Sequence, residues 1–223
     1  MRAVRIAAAA CACALLLCAC EKALETPDGA LAPIAAQDTL EIRPSDEGVA
    51  DFLALLGEDA PKSYENDACH NITPAMIRDN SDYVLFKFDQ SCASYLLHEG
   101  AVYPLGGYFG GLGAVSFALA DLNADGAYEL YYTFSWGSGM HRAQVGYFDP
   151  ATKAAADFDA AFFDKDCALI ASPDGGLSVC AAEFADAEEF SFVSYDVSAA
   201  DVLGAIVCED GEIRLREDAQ DPA

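Results

Sequence analysis

Basic residues are scarce in this chain. Twelve lysines and arginines stand against 37 aspartates and glutamates, which gives a formal net charge of −25. A surface this acidic repels phosphate backbones, so we expect no nucleic-acid partner. The same charge favours cations and neutral or basic ligands, and it also helps to keep a protein in solution.

Several catalytic and metal-binding motifs are missing. Only three histidines occur and none forms an HExxH pair, which excludes a zincin. The glycines from Gly106 to Gly113 lack the lysine and hydroxyl residue that end a P-loop. The five cysteines beyond the first twenty residues contain no CxxC pair, so nothing indicates a zinc or thioredoxin-like site.

No hydrophobic run is long enough to span a bilayer. The longest, Ile6 to Cys18, falls short of the ~20 apolar residues that a spanning helix needs. Arg2 and Arg5 precede it, and this order is typical of a secretory signal peptide. Its end, Leu17-Cys18-Ala19-Cys20, resembles a bacterial lipobox.

That resemblance implies a signal peptide over residues 1–19 and a lipid anchor on Cys20. It also implies attachment to the extracytoplasmic face of a cell membrane. The alternative is an ordinary cleaved signal with a coincidental cysteine. Residues 20–44, with prolines and no periodic apolar face, are predicted to form a flexible tether. A single domain is expected over 45–216, followed by an acidic tail over 217–223.

Hydrophobic spacing predicts a short helical segment at the start of the domain. Ser45 is a candidate cap, and Val49, Phe52, Leu53 and Leu56 fall on one helical face. Gly57 should end this helix. A second short helix is predicted at residues 73–77, with Thr73 as its cap.

The rest of the chain favours strands. Turn signals recur about every ten residues, which predicts a mainly β (α+β) fold with an antiparallel sheet or sandwich of roughly ten short strands. One helical turn is predicted at Ser198, and the protein is expected to be a monomer. The predicted strands cover residues 83–88, 94–98, 101–103, 115–119, 130–136, 143–148, 167–172, 177–184, 189–195, 204–208 and 212–216.

An exported chain can form disulfides, although the sequence permits many pairings. Cys167 with Cys180 is the favoured pair, because the Pro173-Asp174-Gly175-Gly176 turn would bring two strands together. Cys69 with Cys92 is the second, which leaves Cys208 unpaired.

One acidic loop has the pattern of a calcium site. Oxygen-bearing side chains occupy its first, third, fifth and ninth positions around a glycine at the sixth, in the run Asp121-Leu122-Asn123-Ala124-Asp125-Gly126-Ala127-Tyr128-Glu129. Calcium prefers six to eight oxygen ligands, and the crowded carboxylates would repel one another without a cation. The alternative is a plain turn that binds nothing.

The loop resembles the first half of an EF-hand, and more closely the calcium loops of FG-GAP and VCBS-type repeats, which lie between two strands. Carried over by position, the resemblance makes Asp121, Asn123, Asp125, Glu129 and the carbonyl of Ala127 the Ca²⁺ ligands. Propellers repeat this loop, whereas this chain has it once, so a full propeller is not expected. Residues 110–150, with the run from Tyr131 to Arg142 and on to Gly146-Tyr147-Phe148, also resemble a group of exported bacterial lipoproteins, and this resemblance brings no known activity with it.

Two functions follow as expectations. The favoured one is a non-catalytic binding module for an envelope component or small solute, with a structural Ca²⁺. The other is an envelope hydrolase in which His141, with Arg142 and Ser138 nearby, acts beside a bound cation. The hydrolase hypothesis depends on the loop around His141, which follows Gly137 and Gly139 and joins two predicted strands, because functional residues often lie in such loops.

Overall fold

The computed structural model describes residues 29–107, 110–172, 175–185 and 191–217. The predicted signal peptide, Cys20 and residues 218–223 of the predicted tail lie outside these ranges. Two helices are described, α1 (Val49–Leu56) and α2 (Ala75–Arg78), with a 3-10 turn at Gly57–Asp59. The described strands are β1 (Thr39–Ile42), β2 (Cys69–Asn71), β3 (Val84–Phe88), β4 (Ser94–His98), β5 (Ala101–Pro104), β6 (Gly113–Ala120), β7 (Glu129–Trp136), β8 (Arg142–Asp149), β9 (Ala154–Phe163), β10 (Cys167–Ala171), β11 (Leu177–Phe184), β12 (Tyr195–Glu209) and β13 (Glu212–Glu217).

These strands form three antiparallel sheets, which confirms the predicted mainly β fold. Sheet I has the order β2-β3-β4-β5, and sheet II has the order β6-β7-β8-β9. Sheet III has the order β1-β12-β11-β10, with β13 also paired to β12. Within the described ranges, no helix is long and apolar enough to cross a membrane.

Sheet II is covered on both faces. Phe117, Leu119 and Tyr132 point into one buried cluster, which also contains Leu85 and Leu96 of sheet I. Their neighbours Ala118, Ala120 and Tyr131 point into another cluster, which contains residues of sheet III such as Val179. Because successive side chains alternate between faces, β6 and β7 each contribute to two cores and hold the loop between them firmly.

The two helices lie close to their predicted positions, but their caps differ. Gly57 ends α1 as expected, whereas its N-cap is Gly48, and the backbone of Ser45 pairs instead with Asn71. Phe52 is buried and stacks on Phe86, with ring centroids 4.0 Å apart. Pro74, not Thr73, is the N-cap of α2.

The predicted tether is wrong for its second half. Residues 39–42 form β1, which pairs with β12 and buries Leu40 and Ile42. Ile34 also bridges to Leu119 through two backbone hydrogen bonds of 2.8 Å. The folded domain therefore begins well before Ser45. β1 was not predicted because it has only two alternating apolar residues, and its strand structure depends on pairing with β12.

The end of the chain also differs from prediction. Ser198 lies within β12 rather than in a helical turn, and β12 continues without interruption to Glu209. The strands β2 and β9 were not predicted. β9 reads AAADFDAAFF, and alanine and aspartate are poor strand formers, so its place in sheet II depends on pairing with β8.

The disulfide predictions are corrected by the structure, in which all five cysteines, Cys69, Cys92, Cys167, Cys180 and Cys208, are free. Cys167 lies opposite Ala181 and Cys180 lies opposite Ala168, so the two thiols point to opposite faces of sheet III. Cys69 packs in the cluster beneath α1, whereas Cys92 lies in the turn after β3.

Candidate metal centre

The acidic loop connects β6 to β7, whose terminal residues Ala120 and Glu129 are paired. It brings one carboxylate oxygen from each of Asp121, Asp125 and Glu129 within 4.8 Å of one another. Asp121 and Glu129 are each only 1% exposed, and Asp125 is exposed. Three acids therefore meet at the end of a hairpin whose strands are held by the core.

Backbone amides organise this loop around Asp121. Its Oδ1 accepts a hydrogen bond from the Asp125 amide at 3.0 Å, and its Oδ2 accepts one from Gly126 at 3.2 Å. Asp125 Oδ1 in turn accepts from the Ala127 amide at 2.9 Å. Gly126 has a φ of 88°, which permits the sharp bend in the middle of the loop.

Of the three acids, Glu129 has the least complete set of hydrogen bonds. Its Oε2 accepts hydrogen bonds from the Leu122 amide at 3.0 Å and from the Tyr131 hydroxyl at 3.1 Å. Its Oε1 is buried, and none of the described residues provides it with a hydrogen-bond partner. The pKa of Glu129 is raised to about 7, mainly because the carboxyl is buried and in smaller part because Asp121 and Asp125 repel its charge. The hydrogen bonds from Leu122 and Tyr131 act on this pKa in the opposite direction. A cation beside Oε1 would supply the missing partner and offset the repulsion between the acids.

The predicted ligand set is only partly assembled in this geometry. Asp121, Asp125 and Glu129 come together as expected. Asn123 lies beside them, but its Oδ1 accepts a hydrogen bond from the Asp125 amide at 2.9 Å and its Nδ2 donates to Asp125 Oδ2 at 3.2 Å. Ala127 is in the turn that follows, where its amide donates to Asp125.

An N-terminal segment lies on the loop, which the spacing of residues did not indicate. The Leu31 amide donates to Asp121 Oδ2 at 3.1 Å. The Tyr128 hydroxyl donates to the Ala32 carbonyl at 3.0 Å. The segment that follows the predicted lipid anchor is thus joined directly to a residue of the candidate metal centre.

The second candidate site lies at the other end of β7. His141 Nε2 and Asp166 Oδ1 are 2.9 Å apart, and both side chains are largely covered. The guanidinium of Arg142 lies 4.7 Å from the centre of the Trp136 ring and 5.4 Å from that of Phe163. Ser138 is exposed, and the hydrogen bonds of the described residues do not join it to His141.

The two candidate sites are well separated. Glu129 begins β7, whereas Trp136 ends it and pairs with Arg142. Seven residues of extended strand span roughly 23 Å. His141 and a cation bound at the acidic loop therefore cannot act on the same reacting bond.

Comparisons with protein-family models, with curated proteins and with solved structures found no match to this chain.

Proposed function

We propose that this chain is a lipid-anchored extracytoplasmic protein whose β domain is stabilised by Ca²⁺ at the β6–β7 loop and acts as a non-catalytic binding module. The observation that carries the calcium proposal is Glu129 Oε1, a buried acidic oxygen for which the described residues provide no hydrogen-bond partner. It belongs to a residue that has a carboxylate oxygen within 4.8 Å of one from each of Asp121 and Asp125. The lipid anchor on Cys20 and the location rest on the resemblance of residues 17–20 to a lipobox.

The donors favour Ca²⁺ over other cations. Asp121, Asp125 and Glu129 offer only oxygen, which suits hard cations and not zinc or copper. Ca²⁺ accepts irregular oxygen shells completed by carbonyls and water, whereas Mg²⁺ demands a nearly regular octahedron. An exposed member such as Asp125, whose side chain water can reach, fits the less demanding ion.

The ion is proposed to be structural. Asp121 and Glu129 lie at the junction of two paired strands, so a shared cation would hold the end of the hairpin closed. Both residues are almost fully buried, which leaves little room for a substrate. The distance to His141 removes the support for a hydrolase that uses both sites, so we favour binding over catalysis.

Thermal unfolding with and without Ca²⁺ tests this proposal. With a Kd of ~10⁻⁴ M, about 5 mM Ca²⁺ stabilises the folded protein by about 2 kcal/mol, which raises Tm by roughly 4–8 °C. Asp125→Asn should lose most of this shift, because it removes one of the three charges. Asp157→Asn is the matched control, since Asp157, like Asp125, is an exposed acid, and it lies on sheet II outside the loop. Equal shifts in both variants, or no shift in the wild type, would contradict the calcium site.

Calcium should also protect the N-terminal segment. Leu31 and Ala32 are tied to the loop by their hydrogen bonds to Asp121 and Tyr128. Without a cation the repelling acids should open the loop and release this segment. We therefore expect chelation to accelerate proteolytic cleavage between residues 29 and 38, as followed by mass spectrometry of the fragments. An equal rate of cleavage of the wild type with and without Ca²⁺ would show that the segment and the loop are not coupled.

A further inference from the structure

A groove of about 590 Å³ opens where sheet I meets the far end of β7. Five parts of the described chain contribute to its walls: Pro61 with Ser63 and Tyr64, the 90–95 turn between β3 and β4, the glycine-rich stretch through Pro104–Gly107 and Gly110, Gly111 and Gly113, the end of β7 at Phe134–Trp136, and Phe192. This volume is that of a typical small-ligand site. The groove lies at the opposite end of β7 from the acidic loop.

The groove is uncharged in an acidic protein. None of its described lining residues is Asp, Glu, Lys, Arg or His, although 22% of the whole chain is charged. An ionised ligand would lose its hydration here without gaining an opposite charge. The lining therefore selects a neutral ligand.

Aromatic rings and small polar groups alternate along the groove. Tyr64, Tyr95, Trp136 and Phe192 contribute rings, and Tyr64 and Phe192 are 48% and 40% exposed. Ser63, Ser91 and the tyrosine hydroxyls add hydrogen-bonding groups. A sugar ring has one face of C–H groups that packs on an aromatic ring and a rim of hydroxyls that bind such polar groups.

The groove is preformed. A Cβ on Gly106 would lie 2.7 Å from the Phe134 ring, and one on Gly111 would lie 2.5 Å from the Trp136 backbone, so these glycines let the loop contact β7. Trp136 is held by its indole N–H, which donates to Gln144 Oε1 at 2.9 Å, and by the guanidinium of Arg142. A fixed ring loses little conformational entropy when a ligand binds.

The backbone around the groove is not open to an added peptide strand. Pro104 lacks an N–H, and the Leu105 amide already donates to the Ser94 carbonyl at 2.9 Å. At the start of β6, the Ala114 amide donates to Ser94 Oγ at 3.0 Å, and its carbonyl accepts from Lys87 Nζ at 2.9 Å. Strand addition needs free donors and acceptors at a sheet edge, and these are already paired.

We propose that this groove binds a short segment of a neutral saccharide chain, with its sugar rings packed on Tyr64, Trp136 and Phe192. The proposal rests on the proposed role as a binding module and names the class of its ligand.

Calorimetric titration of the purified full chain in Ca²⁺ tests the assignment with maltotriose, cellotriose and triacetylchitotriose as neutral probes and trigalacturonate as an anionic one. We expect at least one neutral trisaccharide to bind and the anionic one not to bind. Tyr64→Ala should weaken binding roughly tenfold, since it removes one stacking surface. Val202→Ala, which trims an exposed side chain on β12, should leave binding unchanged.

A second variant blocks the groove without straining the fold. Gly107 lines it, and a Cβ there would meet nothing within 4 Å. Gly107→Phe should therefore fold normally, keep its calcium-dependent Tm shift and lose saccharide binding.

Binding of no neutral trisaccharide at millimolar concentration, or full binding by Gly107→Phe, would overturn the assignment. A normal Ca²⁺ shift in that same protein would show that only the ligand class has failed and that the calcium site stands. A neutral peptide that binds in place of saccharides and is blocked by Gly107→Phe would overturn the saccharide and leave the binding role intact. Saccharide binding without any Ca²⁺ response would support the groove and contradict the calcium site.

Discussion

Glu129→Gln is expected to abolish the response to Ca²⁺ while leaving the metal-free protein at least as stable as the wild type. The glutamine oxygen can still accept from the Leu122 amide and the Tyr131 hydroxyl, which now bind Oε2. Its amide group can donate to the neighbouring carboxylates, so the buried unpartnered oxygen and one repelling charge disappear together. Loss of a charged ligand should weaken Ca²⁺ binding roughly a hundredfold.

Chemical denaturation of both proteins, in chelator and in Ca²⁺, measures this effect. Glu183→Gln is the control, because Glu183 is an exposed glutamate on β11, far from the loop in the sequence. A variant at Glu129 that is severely destabilised in chelator would mean that the carboxylate supports the fold by itself, without a cation.

Lys87→Met is expected to stabilise the protein at neutral pH. Lys87 is fully buried, its Nζ donates to the Ala114 carbonyl at 2.9 Å, and it lies 5.2 Å from the centre of the Tyr195 ring. Burial lowers its pKa from 10.5 to about 8, and Cys92 and Asp166 oppose this shift only in part. A shift of this size corresponds to roughly 3 kcal/mol of unfavourable free energy for the charged form.

The pH dependence has a definite sign. Between about pH 8 and 10.5 the unfolded chain binds more protons at Lys87 than the folded one, so this residue makes stability rise with pH across that window. Below pH 8 the full penalty is present. Methionine has a similar length and no charge, so the variant should be about 1–3 kcal/mol more stable at pH 7.

Urea unfolding of the wild type and of Lys87→Met, at pH 7 and again near pH 10.5, measures how the difference in their free energies of unfolding changes with pH. We expect the difference to be large at pH 7 and to shrink at the alkaline pH. Titrating groups that do not interact with Lys87 are common to both proteins and cancel in the difference. The charge of Lys87 lowers the pKa of Cys92, although burial raises it overall, so the contribution of this thiol to the difference appears only at the alkaline pH. A constant difference at both pH values, or a strongly destabilised variant at pH 7, would contradict a penalty from buried charge.

Sequence patterns found the strands with strong local signals. β4 and β11 have their predicted bounds, because β-branched, aromatic and leucine-rich stretches end at turn residues there. β1 was missed because it is only four residues long, and β9 because its alanines and aspartates favour strands weakly; the two strands gain order from pairing with β12 and β8 respectively. The helical turn at Ser198 was wrong because local capping preference is weaker than the pairing of β12 with its neighbours.

The candidate metal centre was partly predictable. The spacing of Asp121, Asp125 and Glu129 in a short loop was enough to bring them together. The contact of Leu31 with Asp121 joins residues ninety positions apart, which no local pattern can reveal. The groove draws its walls from five separate parts of the described chain, so only the folded chain brings its aromatic rings into one surface.

Calorimetric titration of Ca²⁺ into the chelator-stripped protein tests the calcium centre most directly. We predict saturable binding of one ion per chain in the wild type and none at the same concentrations in Glu129→Gln. Absence of binding to the wild type at millimolar Ca²⁺, or equal binding by Glu129→Gln, would contradict a calcium site built on these three acids.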